Sequence, residues 1–237
     1  MQVPRSLNQL AQIANKIAHE KGWWEKPRSR SAITLLMQSE VSEVIEEHRE
    51  HHEPTEIWYE KSYSEGGIKY TTKGEKGDKP CGIPIELADF VIRVADYAEE
   101  QKYDLERSVV KLPIISNADD IEEYLARMNW AISMAWNADS QTALSEEFFL
   151  ALSVKYAFDL AQGFEIDLWA AIDEKTESPW KQENLSPPSG MTRRSTKSSA
   201  SRLPSSSGPM SVATDPGQVP WSPVPSLSRG TGDPRRT

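Results

Sequence analysis

The chain has 237 residues, 38% of them hydrophobic and 27% charged, with a formal net charge of −9 at neutral pH. That balance suits a soluble chain with one core, and no run approaches the roughly 18 apolar residues a membrane helix needs. Met1-Gln2-Val3-Pro4-Arg5-Ser6 lacks the apolar stretch of a secretory signal, so the expected location is the cytoplasm, and one cysteine, Cys81, excludes an intramolecular disulfide framework and any multi-cysteine metal centre.

Residues 5–21 place Leu7, Leu10, Ile13, Ala14 and Ile17 at helical spacing, and Gly22 stops the run, which predicts a first amphipathic helix. After the aromatic turn Trp23-Trp24-Glu25-Lys26-Pro27, Ser29 or Ser31 caps a second helix reaching about Glu50, with Ile33, Leu36, Met37, Val41 and Val44 as its apolar positions. Residues 51–82 are polar and glycine-rich. There Ile57-Trp58-Tyr59 and Ile68-Lys69-Tyr70 flank Glu65-Gly66-Gly67, the pattern of a small hairpin inserted between helices. Cys81, between Pro80 and Gly82, reads as incidental and not as a nucleophile.

Pro84 suits a first helical position, and Ile85 to about Gln101 reads as a third helix that is apolar almost all round. Pro113 closes the next connection. Asp119 or Asp120 caps a fourth helix through Trp136, Ser145 opens a fifth that ends near Gly163, and a short helix runs from about Asp167 to Glu177. With no strand-rich half and no alternating strand–helix pattern, the expected fold is all-α, a four-helix-bundle-like body over residues 1–177 with 51–82 as a polar insertion. Helices three and five are apolar on too many sides for a small solitary bundle, which points to a homodimer or a tetramer built from dimers.

Residues 178–237 hold eight Lys or Arg against three Asp or Glu, so this segment carries +5 and residues 1–177 carry −14. Ten of the sixteen prolines and fourteen serines fall there, and apolar periodicity stops, the composition of a disordered tail. Its cations Arg193, Arg194, Lys197 and Arg202 are sparse, and the body is acidic. Duplex nucleic acid is therefore not expected as a main partner, because phosphate neutralisation needs clustered cations.

The acids of the second and third helices stand out. Glu40, Glu43 and Glu47 project within an arc of roughly 60°. In the third helix, Glu86 and Asp89 interrupt a run from Ile85 to Ala95 with little other polar surface, and buried carboxylates are costly unless paired or bound to a metal. Arg93, one turn from Asp89, offers a structural partner for it. If the two helices are neighbours, Glu40, Glu43, Glu86 and Asp89 converge into a hard oxygen site suited to Mg²⁺, with Mn²⁺ as an alternative, and hence to a phosphate-bearing substrate. A di-iron centre needs Glu-x-x-His pairs; the residues three before His19, His48, His51 and His52 are Lys16, Ile45, His48 and Arg49, so that alternative falls. His48, His51 and His52 end a glutamate-rich helix, where cations suit the helix dipole.

Glu40-Val41-Ser42-Glu43 followed by Glu86-Leu87-Ala88-Asp89 resembles the paired acidic motif of the all-α nucleotide pyrophosphohydrolases, the MazG-like superfamily that includes dimeric dUTPases and dCTPases. Gly22-Trp23-Trp24-Glu25-Lys26-Pro27-Arg28-Ser29, Lys79-Pro80-Cys81-Gly82-Ile83-Pro84-Ile85 and Val91-Ile92-Arg93-Val94-Ala95-Asp96-Tyr97 resemble MazG-like proteins of bacteria and their phages. The resemblance covers residues 5–50 and 79–107, with a weaker echo at 166–172. It implies Mg²⁺-dependent hydrolysis of a nucleoside triphosphate to monophosphate and pyrophosphate, with Glu40, Glu43, Glu86 and Asp89 as metal ligands. Glu47 would accept the water's proton or hold a second ion, Lys26, Arg28 and Lys175 would contact phosphates, and Trp23 and Trp24 would wall the base. Two departures accompany it. The 42 residues between Glu43 and Glu86 exceed the usual spacing, and after Lys175 the family's asparagine and arginine are replaced by Pro179 and Gln182. The alternative is a catalytically impaired MazG-like module that binds nucleotide or oligomerises without turnover.

Overall fold

The computed structural model describes residues 6–65, 68–112, 120–138 and 144–177. The tail from Ser178 onward, with Pro179 and Gln182, lies outside the described residues, as do Gly66, Gly67, Pro113 and Asp119. Among the described residues there are seven helices: α1 (Leu7–Glu20), α2 (Arg30–Arg49), α3 (Ile83–Glu100), α4 (Leu105–Val110), α5 (Ile121–Asn137), α6 (Glu146–Gly163) and α7 (Leu168–Glu177). Between α2 and α3 lies a small sheet of β1 (Trp58–Glu65), β2 (Ile68–Lys73) and β3 (Lys79–Cys81). The architecture is thus mostly helical with a three-stranded insertion. Among the described residues no helix is long and apolar enough to cross a membrane.

The helices start where short polar side chains can satisfy the first free amides. Ser6, Ser29, Asp120 and Ser145 accept from Gln9 N, Ala32 N, Glu123 N and Phe148 N respectively. Gly22, at φ +73°, turns the chain after α1. The buried face of α1 is not the one its isoleucines suggest. Leu7, Leu10, Ala11, Ala14, Asn15 and Ala18 are buried, while Ile13 and Ile17 are only half-buried. Periodicity alone ranks bulky residues as core, but here the alanine stripe is the side that meets α3. Asn15 is accommodated in it because its Nδ2 donates to Asp96 Oδ1 at 3.0 Å and Glu100 Oε2 at 3.1 Å on that helix.

α3 is the central element: twelve of its eighteen residues are buried, and it packs against α1, α2, α6 and α7. α6 buries ten of eighteen residues against α5, α4 and α3. Most of the apolar side chains of these two helices, taken from sequence as a sign of subunit contact, are buried inside one chain. Each large side chain buried here, such as Phe90 or Leu87, stabilises the fold by about 1.5–3 kcal/mol.

The insertion contains the expected hairpin, with Tyr63 opposite Tyr70 and their rings stacked at 5.3 Å. It also contains a strand the sequence did not announce. β3 is three residues long and interrupted by Pro80, and it pairs antiparallel with β1 so that the sheet order is β2-β1-β3. A proline is tolerated because β3 is an edge. The six-residue α4 was likewise missed, being too short to show a period; its cap is Asp104, which accepts from Arg107 N and from Asn8 Nδ2 of α1.

The sheet is fastened at its root. Trp58 Nε1 donates to Glu47 Oε2 on α2 at 2.9 Å, and Tyr59 donates its hydroxyl hydrogen to Glu174 Oε1 on α7 at 3.1 Å. β3 then feeds α3 through Gly82, whose φ of +113° and close approach to the Glu56 carbonyl oxygen leave no room for a Cβ. That turn sets where the first turn of α3, and Glu86 within it, stands relative to α2.

Candidate metal centre

α2 and α3 are packed neighbours, as the convergence of their acids requires. Glu40 lies on the buried face of α2 and is 5% exposed, Glu86 lies in the first turn of α3 and is 4% exposed, and Glu43 is exposed at the rim. One carboxylate oxygen from each of the three falls within 4.8 Å of the others. Among the described residues no histidine or cysteine joins this group. Three oxygen donors without nitrogen or sulfur fit a hard divalent cation, Mg²⁺ or Mn²⁺, better than zinc or copper.

Two cations face the acids, and their pairing corrects the sequence reading. Arg93 reaches across to α2: its Nε donates to Glu40 Oε1 at 2.6 Å and its Nη2 contacts the same oxygen. Asp89 is instead ion-paired through Oδ2 with Lys175 Nζ from α7. Asp89 therefore stands beside the three-carboxylate group and not within it, and Lys175, 4% exposed, is an internal counterion in this arrangement. Spacing along one helix pointed to an Arg93–Asp89 pair, but the facing helices supply Glu40 to Arg93 and Lys175 to Asp89.

The electrostatics follow from burial and crowding. Burial raises the Glu86 carboxyl to about 8; Lys175 opposes this, while Asp89 and Glu43 add to it. Glu40 is also raised, first by burial, with the Arg93 charge pulling back and Asp89 and Glu43 pushing further. Lys175 is raised too: burial alone would lower it, but Asp89, Glu86 and Glu40 together outweigh that. Burial and crowding thus favour the protonated form of Glu86, while Arg93 offsets Glu40 and Lys175 offsets Asp89.

The remaining candidates divide. Glu47 is outside the group, its Oε2 accepting from Trp58 Nε1 and lying 3.7 Å from His52 Nε2. Trp24 is half-buried, and its Nε1 donates to Asp96 Oδ1 at 3.0 Å, tying the turn after α1 to α3. Trp23 has the Arg28 guanidinium over its ring at 4.4 Å and Arg93 at 5.7 Å. Beside it opens a cavity of about 420 Å³ lined by Gly22, Trp23, Glu25, Lys26, Pro27 and Arg28. Lys26 and Arg28 are exposed there. His48 reaches Glu122 of α5 at 3.1 Å, and His52 stacks on Trp58 amid Glu47, Glu50 and Glu56, so these histidines pair with acids. Cys81 is buried and its thiol is pushed up to about 12 by burial, which leaves no thiolate for nucleophilic work. The residue sequence reasoning undervalued is Arg93; its position seven residues after Glu86 and four after Asp89, on one stripe of α3, was the available signal.

No protein family, curated protein or solved structure matches this chain.

Proposed function

We propose that the protein is a metal-dependent nucleoside triphosphate pyrophosphohydrolase of the MazG-like kind, releasing pyrophosphate and a nucleoside monophosphate. The observation that carries this reading is the meeting of Glu40, Glu43 and Glu86 from two helices within 4.8 Å in a largely buried interface. A bundle built only for stability gains by replacing such acids with apolar residues.

In this reading Glu40, Glu43 and Glu86 hold the ion, and Asp89 stands next to them, oriented by Lys175. Bound there, Mg²⁺ or Mn²⁺ supplies neutralisation of phosphate charge and acidification of a water. Glu47, one turn beyond Glu43 and steered by the Trp58 N–H, is the proton acceptor we assign to that water. Lys26 and Arg28 draw the phosphate chain into the cavity beside Trp23, whose ring offers a face for the base. The second reading, binding without turnover, is favoured by one specific observation: Arg93 and Lys175 already neutralise Glu40 and Asp89.

Purified protein incubated with a panel of ribo- and deoxyribonucleoside triphosphates and Mg²⁺ should release pyrophosphate from at least one of them, and Glu86→Gln should not. Nucleotide binding without any pyrophosphate from any triphosphate would select the second reading.

A further inference from the structure

The two cations of the site differ in what they can reach. Lys175 is enclosed, its side chain 5% exposed, and it is committed to Asp89. The Arg93 side chain is 29% exposed while that of its partner Glu40 is 6% exposed, so one end of the ion pair reaches solvent and the other does not. Arg93 also lies between two surroundings: its Nε is 2.6 Å from Glu40 Oε1, and its Cζ is 5.7 Å from the centroid of the Trp23 ring that borders the Lys26–Arg28 cavity.

We propose that Arg93 exchanges partners with the metal, neutralising Glu40 while no ion is held and turning to the substrate's phosphates beside Arg28 once an ion takes over Glu40. The inference rests on the metal-dependent reading above and deepens it by moving the phosphate contact from Lys175 to Arg93. Ionised Glu40 is too buried to stand without a counterion, so a cation that leaves its carboxylate must be replaced by another if the charge is to persist. A divalent ion held by the Glu40 carboxylate would repel a guanidinium on that same group, and the ion, carrying the larger charge, would displace it. The released guanidinium needs an anion, and its planar fork matches phosphate oxygens. The Trp23 face, already carrying Arg28 at 4.4 Å, gives it a surface to lie along on the way. Arg93 therefore competes with the metal and cooperates with the phosphate, two effects of opposite sign.

Calorimetry on the full chain separates them, using Mg²⁺ alone and then inorganic tripolyphosphate in the presence of Mg²⁺. In Arg93→Gln, Mg²⁺ should bind more tightly than in the parent, because its competitor for Glu40 is gone. Tripolyphosphate should bind about tenfold or more weakly, the effect of losing a charged hydrogen-bond donor. Arg93→Lys should fall between on both measurements, and it carries the test if Arg93→Gln does not fold. Tripolyphosphate affinity unchanged in a folded variant, or both affinities falling together, would make Arg93 a structural ion pair and overturn the proposal. A parent protein that fails to bind Mg²⁺ at all would instead overturn the metal-dependent reading, and the two failures are told apart because only the second shows in the parent.

Discussion

Two of the places where this molecule puts acids between packed helices solve the problem differently. At the start of α6, Glu146 receives the Tyr97 hydroxyl on Oε1 at 2.9 Å and the Tyr103 hydroxyl on Oε2 at 3.1 Å, with Arg30 Nη2 3.3 Å away. The same guanidinium donates to the carbonyls of Ala135 and Ala138 at the end of α5. One carboxylate thus meets two hydroxyls and one cation at a helix N-terminus, where negative charge is favoured. Burial, then Glu146, pushes both phenols up, Tyr103 to about 12, so they stay donors at any ordinary pH. At the α2–α3 interface, Arg93 pairs with Glu40 and Lys175 with Asp89, while burial, with Asp89 and Glu43 adding to it, pushes the Glu86 carboxyl up to about 8. The first place gives one carboxylate three donor groups; the second crowds several carboxylates together. Crowded carboxylates raise one another's proton affinity, which a single carboxylate among donors does not experience.

The contrast is sharpest in activity. Glu86→Gln should lower pyrophosphate release by at least about a hundredfold, the scale of losing one electrostatic contributor. Glu146→Gln should leave the rate within a few-fold while lowering the melting temperature. Equal losses of rate in both variants would erase the distinction.

Metal linkage comes next. The folded state alone assembles the ligands, so Mg²⁺ at a hundred times its dissociation constant should add about 2.7 kcal/mol, roughly 5–10 °C in melting temperature for a domain of this size. Glu43→Gln should abolish the shift, and Glu146→Gln should retain it; a shift of the same size in Glu43→Gln would remove that residue from the ion.

The pH response of the metal-free protein follows from Glu86. Its folded-state pKa is raised from an ordinary 4.5 to about 8, so between those values the folded chain binds more protons than the unfolded one. Its contribution to stability is complete below 4.5 and is lost as pH rises through about 8. Urea midpoints without Mg²⁺ should therefore fall across that window in the parent and flatten in Glu86→Gln, which should also be the more stable of the two at pH 8. Because the ligand must lose its proton, Mg²⁺ should bind more tightly as pH rises over the same range, with measurable proton release.

The smallest effect belongs to the satisfied cluster. Tyr103→Phe removes one of two hydroxyls on Glu146 and should cost about 1 kcal/mol in urea unfolding, with the Mg²⁺ shift untouched. A changed Mg²⁺ response would mean that the two acid clusters are coupled.

Much of this was legible in the residues themselves. Ser29, Asp120 and Ser145 announce helix starts because a short oxygen-bearing side chain beside an apolar period has few other uses. Glu86 announces itself as an acid inside a helix that is otherwise largely apolar. Composition and spacing also set the excess of acids on α2 and α3, and with it the chemistry the interface can hold. Tertiary structure alone decided the rest. β3 exists because β1 was there to pair with, Ile13 yields the core to Ala11 and Ala18 because α3 lies on that side, and Arg93 takes Glu40 while Lys175, more than eighty residues away in sequence, takes Asp89. Local signals carry backbone propensity and side-chain chemistry along one element; which charge neutralises which depends on distances across elements, and those are set only when the helices pack.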